Sequence, residues 1–96
     1  LGASSPADGA VLNEADFTDA NLSGADLRNV EIRFSTLEWA CLCNADVRSA
    51  DLHGSNLRLV RARRALFIGA NFSDGDLAGA EDVMGRHEDR LAFVAQ

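Results

Sequence analysis

The sequence predicts an all-β solenoid, a chain wound in short straight sides around a single apolar column. Residues 15 to 29 read ADFTD, ANLSG, ADLRN, three five-residue phrases in a row, and the register runs on in both directions. Large apolar residues stand at every fifth place: Leu12, Phe17, Leu22, Leu27, Ile32, Leu37, Leu42, Val47, Leu52, Leu57, Phe67, Phe72 and Leu77, with Ala62 holding the one remaining place. Two residues before each of these centres, from Ala10 to Ala80, every position is Ala, Val, Ser or Gly. The series contains no insertion.

A five-residue period excludes the regular alternatives. On an α-helix five residues advance a side chain by about 140°, so the apolar set smears around the axis. In a flat strand an odd period sends successive centres to opposite faces. A chain that runs extended for about three residues and then turns a corner keeps one face buried. The small residue and the centre point inward along a short side, and the next two residues make the corner. Successive coils then stack at the ~4.8 Å spacing of paired strands. The inward residue before each centre is small because two side chains per side share a narrow interior.

Composition is compatible with one small domain. The chain has 96 residues, 47% of them hydrophobic, and a net charge of −6. No apolar run approaches the ~20 residues of a membrane-spanning helix. No charged-then-apolar leader precedes the repeat, although a chain opening at Leu1 makes that weak evidence. Cys41 and Cys43 are two apart in one extended stretch, a poor setting for a structural disulfide, so a reducing cytoplasm is the expected setting.

The phrases ADFTDANLSGADLRN, NADVRSADLHGSNL (44–57) and GANFSDGDLAGA (69–80) resemble the pentapeptide-repeat family, whose pattern is A(D/N)LXX. The resemblance covers roughly residues 10–81. It implies a right-handed quadrilateral parallel β-helix with four pentapeptides per coil, here about three and a half to four coils. Residues n and n+20 then stack. The inward columns read Leu12–Ile32–Leu52–Phe72, Phe17–Leu37–Leu57–Leu77, Leu22–Leu42–Ala62 and Leu27–Val47–Phe67. Phe67 is the bulky neighbour expected to fill space left by Ala62.

Open coil ends need covering. Residues 82–96 place Met84, Glu88, Leu91 and Ala95 on one helical face and are read as a short C-terminal capping helix. Residues 1–9, with the chain's one proline, are read as a lead-in or partial N-terminal cap.

Few positions invite chemistry. Asp16, Asn21, Asp26, Asp46, Asp51, Asn56, Asn71 and Asp76 precede centres and are expected to face outward and bond backbone around the corners, not to act as paired catalytic carboxylates. His53, stacked between Arg33 and Ser73, and His87 read as surface histidines. No phosphate loop, nucleophile elbow or metal-spaced His set is present. No enzyme activity, cofactor or metal is expected. Cys41 and Cys43 fall under Arg61 and Arg63 of the next coil. Two tolerated small surface residues are the plainer reading; thiolates poised for redox chemistry or metal capture are the sharper one.

Charge is uneven. Residues 1–27 carry net −5, residues 28–64 net +3 with seven arginines, and residues 65–96 net −4. Asp26 beside Arg28, Asp46 beside Arg48 and Glu38 under Arg58 look self-neutralising. The cluster Arg61, Arg63 and Arg64 could receive an acidic partner or phosphate. Interleaved aromatics are missing, so direct nucleic-acid binding is not expected.

The residues least like the rest of the pattern are apolar and outward. Phe34 and Trp39 occupy adjacent corners of the second coil, Leu59 stacks on Trp39, and Leu66 and Ile68 face outward in the third. Exposed aromatics anchor interfaces. The expected function is therefore a non-catalytic scaffold that presents a rigid surface to a protein partner through Phe34, Trp39, Leu59, Arg61, Arg63 and Arg64, with self-association through coil ends or cap as a further route. The resemblance supplies an alternative, since some family members mimic duplex DNA and protect DNA gyrase. The net charge suits that reading; the basic middle belt and the small coil count do not.

Overall fold

A computed structural model of the chain describes residues 9–81. Parallel pairing joins each residue just before a centre to the residue twenty further on: Val11 to Glu31, Asp16 to Thr36, Asn21 to Cys41 and Asp26 to Asp46, with the same step repeated up to Arg61 and Glu81. A five-residue register that closes on itself after twenty residues is a four-sided coil. Side 1 is centred on Leu12, Ile32, Leu52 and Phe72, side 2 on Phe17, Leu37, Leu57 and Leu77, side 3 on Leu22, Leu42 and Ala62, and side 4 on Leu27, Val47 and Phe67. Pairing is confined to one residue per side, because the corner consumes two of every five residues and no strand has room to lengthen.

Nearly every backbone N–H in a repeat has a destination. The centre donates to the coil above (Leu37 to the Asn56 carbonyl, 2.7 Å), as does the second corner residue (Trp39 to Arg58, 3.0 Å). The residue before the centre donates to the coil below (Asn56 to the Ser35 carbonyl, 2.9 Å). The small residue closes the corner onto the carbonyl three places back (Ala40 to Leu37, 2.9 Å). The first corner residue is served by the Asp or Asn two places earlier, as with Ser73 to Asn71 Oδ1 at 2.9 Å and Arg58 to Asn56 Oδ1 at 3.0 Å. All eight Asp and Asn positions singled out above accept such a bond. They are structural.

The second corner residue has positive φ at every described corner, from Gly9 to Gly79. A negative φ followed by a positive one is the signature of a type II turn, which is least strained with Gly or Asn in second place. Eight of these fifteen places nonetheless hold neither Gly nor Asn, among them Phe34 at φ 53°, Trp39 at 64° and Leu59 at 60°.

Two corners on side 1 are built differently. The amides of Ala15 and Ser35 do not close back onto Leu12 and Ile32; they donate to the hydroxyls of Ser35 (3.0 Å) and Ser55 (3.1 Å) stacked above. Those hydroxyls in turn donate to the Leu12 (3.1 Å) and Ile32 (2.6 Å) carbonyls. Serine replaces alanine in this inward column because its oxygen bridges the two groups that an open corner would leave unpaired. Gly75 ends the column: a Cβ there would lie 2.9 Å from the Phe72 carbonyl oxygen and 3.1 Å from that of Ser55.

The interior is the expected set. From Ala25 to Phe72 all the centres and small residues are buried, while Leu12, Phe17, Leu22 and Leu77, in the outermost coils, are half-buried. Ala62 is fully buried, and the rings of Phe67 and Phe72 pack with centroids 5.4 Å apart across the neighbouring corner. Each fully buried Leu or Phe stabilises by roughly 1.5–3 kcal/mol, which makes this column the main source of cohesion. The capping helix read at residues 82–96 and all but the last residue of the lead-in read at residues 1–9 lie outside the described residues.

Candidate functional site

Several side chains on the first corner position lean toward the coil above, onto the residue eighteen places on. Asn13 reaches Glu31 (2.6 Å), Ser23 reaches Cys41 Sγ (3.0 Å) and Arg58 reaches Asp76 (3.3 Å). This lean corrects one expected pair: Arg58 meets Asp76 above it and not Glu38 below. The other two pairs form as expected. Arg28 grips Asp26 through Nε (2.8 Å) and Nη2 (2.7 Å), and Arg48 grips Asp46 in the same bidentate manner. The guanidinium of Arg28 holds the Asp26 carboxyl below the usual carboxylate range, and that of Arg48 does the same for Asp46.

The six partner-binding candidates fall on two adjacent sides and the corners that bound them. Phe34 stands on the corner between sides 1 and 2, with Trp39 and Leu59 on the corner between sides 2 and 3. Arg61 and Arg63 project from side 3, and Arg64 stands on its far corner with φ 62°. Phe34 is 57% exposed and Trp39 50%, whereas Leu59 is half-buried. Phe34 is partly seated. Its ring meets His53 edge-on at 5.2 Å, carries the Arg33 guanidinium at 5.7 Å, and lies across Gly54, where a Cβ would come within 2.6 Å of it. Leu59 lies in the same way across Gly79, with a 2.7 Å approach. These seats were not foreseen, though a glycine one coil above a large corner residue is a sequence signal that could have found them.

On side 3, Cys43, Arg61, Arg63 and Glu81 line a groove of about 350 Å³. Arg64 lines no part of it. Cys41 and Cys43 are free thiols with sulfurs 3.1 Å apart. The hydrogen bond from Ser23, joined by the Cys43 amide and thiol, lowers the Cys41 thiol; the Arg61 charge is the smallest contribution. The bond to Cys41 and partial burial raise the Cys43 thiol. In the sharper of the two readings the arginines favour thiolate, but the neighbouring hydroxyl matters more and favours only Cys41.

His53 is more enclosed than a surface histidine. Nδ1 lies 2.9 Å from Ser73 Oγ and Nε2 lies 3.7 Å from Asp74 Oδ2. The three residue types match a hydrolytic triad but the geometry does not serve one. Ser73 donates its proton to Asn71 Oδ1 at 2.6 Å, so its oxygen accepts from the imidazole, and the Asp74 side chain is 81% exposed. Among the described residues no group of three or more His, Cys, Asp or Glu could hold a metal ion, and no helix is long and apolar enough to cross a membrane.

Fold and surface together define a parallel β-solenoid with an apolar interior and an outward face carrying corner aromatics beside a basic groove. The family model for pentapeptide repeats matches residues 10–48 and 45–81 in eight copies. The chain belongs to the pentapeptide-repeat family, whose fold is the right-handed β-helix. Among solved structures it is similar to the pentapeptide repeat protein Rfr23 from the cyanobacterium Cyanothece 51142, with TM-score 0.61 and 27% identity over 75% of this chain and 56% of that one. It also matches HetL, a pentapeptide repeat protein involved in heterocyst differentiation regulation from Nostoc sp. strain PCC 7120, at 31% identity and TM-score 0.35 over 74% of this chain and 38% of that one. The chain thus spans little more than half the length of the first and less of the second. No curated protein matches it.

Proposed function

We propose that this chain is a non-catalytic interaction module that presents the corner aromatics Phe34 and Trp39, flanked by the arginines of side 3, to a protein partner. One observation carries the reading. Both residues hold a left-handed backbone conformation while remaining half or more exposed. For a side chain with a Cβ that conformation costs about 1–2 kcal/mol, and neither residue recovers the cost by full burial. Most of the other positions of this kind hold Gly, Asn, Asp or Ser, the exceptions being Glu14, Leu59 and Arg64. A local rule broken with only partial compensation in the fold, such as the edge contact of Phe34 with His53, points to function. Exposed Trp and Phe on a rigid support lose little entropy on association and are the residue types that dominate binding energy.

Membership of the repeat family and the absence of a catalytic arrangement among the described residues support the scaffold reading. The alternative, mimicry of duplex DNA toward a topoisomerase, asks for continuous negative charge, and the groove on side 3 instead exposes two guanidiniums. The test is affinity capture from the native host with wild type and Trp39→Ser side by side. A partner retained by wild type and lost by the variant is the expected result. A partner set unchanged by Trp39→Ser and by Phe34→Ser overturns the reading.

A further inference from the structure

We propose that Cys41 and Cys43 form a reversible redox site, closed to a disulfide by exchange with a small anionic disulfide that docks in the groove of side 3. Geometry carries it. The two sulfurs project from the same side at 3.1 Å, on either side of the inward Leu42. A covalent bond at ~2.05 Å asks them to close by about 1 Å. Residues two apart on an extended stretch have Cα atoms about 6.6 Å apart, inside the range a disulfide spans but near its wide end. Such a bond is partly exposed and under tension, which places it among readily reduced disulfides and not among permanent ones. Both cysteines are partly exposed and lie outside the buried column.

The two cysteines have distinct tasks. Cys41 Sγ sits 3.0 Å from the Ser23 hydroxyl and also receives the Cys43 amide, bonds that favour its thiolate. Cys43 opens onto the groove, where, among the described residues, Arg61 and Arg63 outweigh the carboxylate of Glu81 and favour an anionic visitor. The Cys41 thiolate attacks one sulfur of the small disulfide, forming a mixed disulfide and releasing one small thiolate. Cys43 then gives its proton to that thiolate or to water and attacks Cys41 Sγ. The Cys41–Cys43 bond forms as the second small thiolate leaves. The protein is oxidised by two electrons, and the small disulfide is reduced to two thiols.

The probe is oxidised glutathione at neutral pH, with alkylation quenching and intact-protein mass spectrometry. Wild type should lose two hydrogens without retaining an adduct and regain them in reduced glutathione. Cys43→Ser should stop at one glutathionyl adduct on Cys41, and Cys41→Ser should react at least about tenfold more slowly, since the favoured thiolate is gone. Arg61→Ser with Arg63→Ser should slow oxidation by glutathione disulfide relative to cationic cystamine. All these side chains face outward, and circular dichroism checks that each variant remains folded. The proposal is overturned by a wild type that keeps two alkylatable thiols or ends with two adducts, or by Cys41→Ser reacting at the wild-type rate. An unchanged preference between the two oxidants in the arginine variant overturns the docking role of the groove.

Discussion

Replacing Gly54 with Ala probes the seat of Phe34 directly. The new Cβ would lie 2.6 Å from both Cδ1 and Cε1 of the Phe34 ring, at a backbone φ of +70°. The positive φ costs about 1–2 kcal/mol for alanine, and a more restricted unfolded chain returns about 0.4–1 kcal/mol. The ring is 57% exposed and can escape the clash only by swinging outward. That movement gives up the edge-on contact with His53, worth about 0.5–1.5 kcal/mol. The total destabilisation is therefore about 0.5–3 kcal/mol in wild type. In a Phe34→Ala background only the backbone part remains, so the two substitutions should couple by about 1 kcal/mol. Urea denaturation followed by fluorescence of the single tryptophan, Trp39, gives all four corners of the cycle. Additivity within about 0.3 kcal/mol would refute the claim that the ring rests on Gly54, and with it the view of Phe34 as an anchor held in place before binding.

Three further outcomes are expected. Leu42→Asp puts an unpartnered carboxylate into the buried column of side 3 at a cost of several kcal/mol, comparable with the ~5–15 kcal/mol that holds a small domain together; circular dichroism should show no cooperative melt, and wild-type melting would mean the inward register is wrong. Trp39→Ser should keep the melting temperature within a few degrees while weakening partner binding at least about tenfold, whereas Arg63→Ser should weaken it chiefly at low salt; the reverse pattern would hand recognition to the basic groove. Asp26 and Asp46 titrate lower in the folded chain than in the unfolded one because Arg28 and Arg48 grip them. Their stabilisation is complete above the ordinary carboxylate pKa of about 4 and is lost as the pH falls through the lower folded values. Urea midpoints should decline on acidification and decline less in Asp46→Asn, and a midpoint that rises instead would contradict the pairing.

The sequence by itself determined which residues point inward and which serve the corners. Both are local matters. Within five residues, an extended step, a centre and a two-residue turn leave one arrangement of apolar and polar positions, so Leu37, Leu42 and Leu57 were legible as core and Asp16 or Asn71 as backbone acceptors. The tertiary structure decided how many sides close a coil, because that depends on hydrogen bonds between residues twenty apart, such as Leu37 to Asn56, which no five-residue period specifies. The same inter-coil register decided the rest of the surface. It set the lean of first corner side chains such as Arg58 toward the coil above, which gives Arg58 to Asp76 instead of Glu38. It laid Phe34 over Gly54, and it turned two cysteines that the sequence presents as mere neighbours so that their sulfurs meet at 3.1 Å beside Ser23. Inward positions answer to the hydrophobic effect, which the order of residues encodes directly. Outward positions answer to whatever the next coil places against them, and only the closed stack fixes that.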